Sequence, residues 1–192
     1  WPFFMFLGIG AYAAVRLVYG PQWTVSVPLA QILCGAGMIE MSFILAKEAI
    51  VSVGSIERSN LLEAGVQGSR ICGLLAVIPF GLTGACWGIL AASILGAVYA
   101  NWMLSKTIGI HVQDIFKACM PSVYIAVVST IPIAIWSVID PASEENYVVF
   151  LLAGGLLTGG GWLVCVRQFL PTLWDEITNT AGRIVRFVSD KR

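Results

Sequence analysis

Six long apolar runs, at 3–19, 25–53, 61–80, 84–104, 118–139 and 147–166, leave this chain few ways to fold. A hydrocarbon layer ~30 Å thick takes roughly 20 residues of helix to cross, and all six approach or exceed that length. Composition agrees: hydrophobic residues make up 58% of the 192 and charged residues 11%, against about 25% charged in a soluble domain. The fold class expected is all-α, a polytopic transmembrane bundle of six spans at 1–168 followed by a tail at 169–192. Gly20-Pro21-Gln22, Pro79-Phe80-Gly81 and the polar run from Asp140 to Asn146 separate the spans. The first run is short, and the chain opens on Trp1-Pro2 with no Met and no basic flank, so it reads as a piece of a longer protein.

Basic residues give the orientation. The links at 20–24, 81–83 and 140–146 contain no Lys or Arg, whereas the alternate links and the tail hold Lys47, Arg58, Lys106, Lys117, Arg167, Arg183, Arg186, Lys191 and Arg192. By the positive-inside rule the second set is cytoplasmic, together with both ends of the chain. Arg16 and Arg70 are the two basic residues left within the membrane. In the tail, Leu170, Leu173, Trp174, Ile177, Ala181, Ile184, Val185 and Val188 recur at helical spacing opposite Asp175, Glu176, Arg183 and Arg186, the pattern of an amphipathic helix on the cytoplasmic surface.

The run from 25 to 84 concentrates the unusual charges. It reads as two helices joined by an elbow, Gly54 to Asn60. Glu40 and Lys47 are seven residues apart on the first arm, two helical turns, and Glu63 and Arg70 repeat that spacing on the second. Counted from the elbow, Lys47 and Glu63 lie ~7 and ~5 Å up their helices, and Glu40 and Arg70 ~18 and ~15 Å up. Antiparallel arms would therefore pair Lys47 with Glu63 and Glu40 with Arg70. Asn60, Glu63, Gln67 and Arg70 form one polar stripe. Charge at bilayer depth normally faces a bundle interior, a partner or water. Two readings stay open: structural pairs that fix the register of the hairpin, or a hydrated site in which Arg16 and Arg70 attract an anionic group and Glu40 serves a coupling cation or proton.

Small residues mark close packing. Gly84, Gly88, Ala92, Gly96 and Ala100 recur every four residues, and Gly154-Gly155 and Gly159-Gly160-Gly161 crowd the last run. No Gly-Lys-Ser/Thr follows those glycines, so a phosphate loop is not indicated. The odd set of five cysteines lies in apolar runs and reads as filler. With His111 the only histidine, no catalytic triad or His-based metal site can be assembled; no enzyme activity, cofactor or metal is expected. The basic residues form no stripe for nucleic acid.

Leu17-Val18-Tyr19-Gly20-Pro21-Gln22-Trp23 followed by Val27-Pro28-Leu29 resembles the "LxFGxxW…PL" stretch of bacterial polysaccharide-export flippases, with Tyr19 where that pattern has Phe. These are the Wzx-type members of the multidrug/oligosaccharidyl-lipid/polysaccharide exporter superfamily. Ile78 to Ala85 is similar to their "PFGLxGxA" link, and Gly109-Ile110 to Asp114-Ile115, with Pro121 after it, to their connection before the last two spans. The resemblance implies part of a transporter of about twelve to fourteen helices in two lobes, flipping polyprenyl-diphosphate-linked oligosaccharide across the bacterial inner membrane. Its implied partners are the lipid-linked oligosaccharide, the bilayer, a missing N-terminal lobe and a polysaccharide polymerase. By position the six spans match the last six of a fourteen-helix member, which would put Arg16, Glu40 and Arg70 on supporting helices of the lobe. A cation-coupled drug exporter of the same superfamily, using Glu40, and a non-transporting membrane scaffold are the rival readings.

Overall fold

A computed structural model describes residues 1–110, 112–139 and 146–169. The tail helix expected at 169–192, His111 and most of the 140–146 link lie outside the described residues, apart from Phe169, which ends the last helix. The described chain is helical, with no strand among these residues: α1 Pro2–Ile9, α2 Ala11–Tyr19, α3 Val27–Met41, α4 Ala46–Ser52, α5 Ile56–Val77, α6 Gly81–Ile108, α7 Val112–Ile139 and α8 Tyr147–Phe169. Short 3₁₀ turns at Pro21–Ser26 and Ile78–Phe80 lead into α3 and α6.

Four stretches, Pro21–Ser52, Ile56–Ile108, Gln113–Ile139 and Tyr147–Phe169, are long and apolar enough to cross a membrane, and α1 with α2 qualifies as a fifth only as a pair bent by 77°. The protein is therefore membrane-embedded. The 53-residue stretch Ile56–Ile108 would run ~80 Å if straight. Instead Gly81, at φ 69° and ψ −159°, turns the chain back, so that α5 and α6 lie side by side: Leu62 packs with Ala100, and Val66 stands beside Gly96. Only a residue without Cβ takes that backbone conformation readily. The small-residue stripe of α6 makes the contact close. A Cβ on Gly88 would stand 2.8 Å from the carbonyl oxygen of Gly73 and 2.7 Å from Val77 Cγ2, the backbone approach that small residues permit in lipid. Of the glycines on α8, Gly154 packs under Ile133 and Phe6 and Gly161 against Ser129, whereas Gly159 and Gly160 have nothing within 4 Å where a Cβ would be.

α3 also packs on α6, α7 pairs with α8, and α1 and α2 join the two groups by packing on α3, α7 and α8. One buried cluster, Ala46, Ile50, Leu62, Ala100, Met103 and Leu104, ties α4 to the α5–α6 tips. A second, Ala13, Ile133 and Phe150, sits where α2, α7 and α8 meet. Outside these, large apolar side chains face outward, as with Val138 at 82% and Leu156 at 77% exposure, the inverse of a soluble surface and the one that lipid covers.

Three local expectations need correction. The first run is two helices, broken at Gly10, whose N–H still bonds to Phe6 O and whose small size lets Phe150 and Leu151 come close. The elbow is shorter than Gly54 to Asn60: Gly54 takes φ 78° and α5 starts after Ser55, whose carbonyl accepts from Ser59 N–H, so Glu57, Arg58, Ser59 and Asn60 are already helical. The helix from 25 to 53 is interrupted at residues 42–45, so Glu40 and Lys47 belong to two helices rather than to one face of a single rod. The bonding pattern at Met38 matches this break. Its carbonyl accepts the indole N–H of Trp1 at 2.9 Å and the hydroxyl of Ser42 at 3.2 Å, while the Ser42 N–H goes to Ile39 O, a 3₁₀-type bond. A side chain taking an i−4 carbonyl in this way bends a helix.

Candidate functional site

The break between α3 and α4 opens a groove of about 310 Å³ against α5, lined by Glu40, Lys47, Glu48, Glu63, Gln67 and Arg70 over an apolar floor that includes Phe43, Leu62 and Val66. Glu40 comes from the last turn of α3, Lys47 and Glu48 from the first turn of α4, and Glu63, Gln67 and Arg70 from successive turns of α5. Both rungs drawn from the helix levels are present. Arg70 Nη2 lies 2.5 Å from Glu40 Oε1, and Lys47 Nζ lies 3.5 Å from Glu63 Oε2.

The two rungs differ in surroundings. Side chains of the Glu40–Arg70 pair are 28% and 32% exposed, those of Glu63 and Lys47 46% and 45%. Glu40 has a further support, the hydroxyl of Ser93, which reaches it from α6 at 2.9 Å and is itself buried. Gln67 Nε2 donates to Glu63 Oε1 at 2.9 Å, so the polar stripe on α5 is bonded along its own length. Half-exposed ion pairs contribute about 0–1 kcal/mol in water, whereas a pair withdrawn from water loses more when one partner goes. The inner rung is thus the one on which the hairpin depends.

Neither family models, nor curated proteins, nor solved structures match this chain. The site therefore has to be read from its own chemistry. It presents two cations and three carboxylates, with Glu48 as the unpaired member among those lining it, and one amide. Such a surface can exchange partners with a charged ligand or hold water; it cannot lie against acyl chains without a large cost.

Arg16 is not brought into this group. It stands on α2, its Nη1 3.1 Å from Tyr12 Oη and its guanidinium 5.6 Å from the centre of the Tyr147 ring on α8. Asn60, the first member of the stripe, does not line the groove. Sequence reasoning missed Ser93 and Glu48. Ser93 carried a signal, a hydroxyl beside Ala92 in the close-packed stripe of α6, but its partner lies three helices earlier, on α3. A larger cavity, about 720 Å³ between α1, α7 and α8, is walled by Trp1, Phe3, Phe6, Ile125 and Trp162 and has no charged side chain in its lining. No cluster of three or more His, Cys, Asp or Glu side chains suited to a metal occurs among the described residues.

Proposed function

We propose that this chain is part of a membrane transporter that flips polyprenyl-diphosphate-linked oligosaccharide across the bacterial cytoplasmic membrane for export of O-antigen, exopolysaccharide or capsule. The observation that carries the reading is the groove: ion pairs about one-third to one-half exposed, within stretches long and apolar enough to cross a membrane. Exposed charge at that depth calls for a hydrated cleft on that side of the bundle, the kind of path that lets sugars and a diphosphate avoid hydrocarbon. The motif resemblance at 17–29, 78–85 and 109–121 supplies the substrate class. In this reading α1 with α2, α3 with α4, and α5 to α8 singly make six spans, with both ends of the segment cytoplasmic. Arg70 offers the anionic headgroup a guanidinium, Arg16 guards the outer end, and Glu40 holds the Arg70 guanidinium in place. The remaining lobe of the transporter faces the groove, and a polymerase takes up the delivered units.

The excess of carboxylates over cations in the groove favours a second reading, a cation-coupled exporter of the same superfamily in which Glu40 carries the coupling ion. Complementation of a flippase-null strain by the full-length protein separates the two. Flipping predicts that Arg16→Gln, Glu40→Gln and Arg70→Gln each reduce surface polysaccharide, and that Glu40→Gln with Arg70→Gln stays inactive although inserted normally. Cation coupling predicts that Glu40→Gln alone abolishes transport and that Arg70→Gln is tolerated. Rescue by the double substitution would make the pair purely structural.

A further inference from the structure

The cations at the tips of α5 and α6 are arranged unlike those in the groove. Lys47 and Arg70 each meet a carboxylate, but among the described residues neither Arg58 nor Lys106 has one within 4 Å. Arg58 Nη1 instead reaches the hydroxyl oxygen of Thr107 on the neighbouring helix at 3.4 Å, and Lys106 Nζ sits 4.2 Å from the centre of the Trp102 ring. Tyr99 stacks on Trp102 at 5.8 Å, and Trp102 is 47% exposed. The acidic residues described at this end are engaged or form no ion pair with either cation: Glu63 is bonded to Lys47 and Gln67, Glu48 lines the groove, and Glu57 and Asp114 form no ion pair among the described residues.

We infer that Arg58, Lys106 and Thr107 form a site for the phosphate of an anionic phospholipid, with Trp102, backed by Tyr99, flanking its glycerol. The chemistry is complementary on each count. Thr107 accepts from Arg58 and keeps its own hydroxyl proton to donate. Arg58 keeps its remaining guanidinium N–H groups, and Lys106 offers three ammonium protons held in place by the indole face. Half-exposed Trp102, in the last two turns of α6 with the partly buried Tyr99 stacked behind it, belongs at the headgroup level, where the phosphate lies. A free inorganic anion would meet the same cations but would leave the aromatic flank uncovered, so the lipid is the occupant that the surface fits.

The test uses the full chain in detergent, with native mass spectrometry counting bound phosphatidylglycerol against phosphatidylcholine of equal chain length. Two cations near the surface predict a preference of roughly tenfold or more for phosphatidylglycerol. Arg58→Gln with Lys106→Gln, both exposed positions, should abolish that preference, Trp102→Leu should weaken it, and Lys117→Gln, at the same end on α7, should leave it unchanged. Equal binding of the two lipids by the native chain, a preference that survives the double substitution, or an equal loss with Lys117→Gln would each overturn the assignment. Complete displacement of phosphatidylglycerol by inorganic phosphate would overturn the lipid as occupant.

Discussion

Substituting Gly88 by Ala should separate α5 from α6. The added methyl would lie 2.8 Å from the Gly73 carbonyl oxygen, and this oxygen belongs to backbone that no side-chain rotation can move. To regain ordinary contact at 3.4 Å the helices must part by roughly 0.6 Å over that turn. Overpacking of this kind costs about 1–3 kcal/mol, and a gap of 0.5–1 Å among neighbouring contacts forfeits about a quarter to a half of their dispersion energy. The change also gains about 1 kcal/mol of helix propensity, so the expected net loss is about 0–2 kcal/mol. Gly160→Ala is the internal control. It meets nothing within 4 Å, takes the same propensity gain, and should be neutral or more stable by up to about 1 kcal/mol. Reversible unfolding in mixed micelles, followed by far-ultraviolet circular dichroism, measures both. If Gly88→Ala proves as harmless as Gly160→Ala, the close α5–α6 approach is not what holds the hairpin.

Glu40→Gln and Arg70→Gln should each destabilise the bundle by about 2 kcal/mol, between the values for exposed and buried pairs, while the double substitution recovers most of that loss; additivity within about 0.5 kcal/mol in the same unfolding assay would show that the two are not coupled. Lys47→Gln should change stability by less than about 1 kcal/mol, since its pair is nearly half exposed, and a larger loss would show the outer rung to be the stronger one. Trp1→Phe removes the indole donor to Met38 O and should cost about 1 kcal/mol, together with reduced protection from hydrogen exchange at residues 42–45; unchanged exchange there would separate the helix break from that bond.

Helix positions and levels were legible because they follow from run length and from a rise per residue that tertiary contacts scarcely alter. Lys47 and Glu63 meet, as do Glu40 and Arg70, since depth is preserved even where a helix bends. What stayed hidden depended on partners remote in sequence. The break after Met41 lies beside a bond from the indole of Trp1, 37 residues from the carbonyl it engages, and the support of Glu40 by Ser93 spans 53 residues. Neither has a periodic signature. Pro121 and Pro132 make the opposite point: both stand inside α7 without ending it, as neighbouring helices allow in lipid.

The position of the stripe on α5 relative to water decides the account. In a background lacking the five native cysteines, Gln67→Cys and Gly68→Cys place a thiol at one depth on two faces about 100° apart, the first in the groove and the second where nothing lies within 4 Å. A polar, membrane-impermeant maleimide should modify residue 67 rapidly and residue 68 slowly when the full-length protein is embedded in vesicles. Equal rates, or faster modification at 68, would mean that the paired charges do not line water.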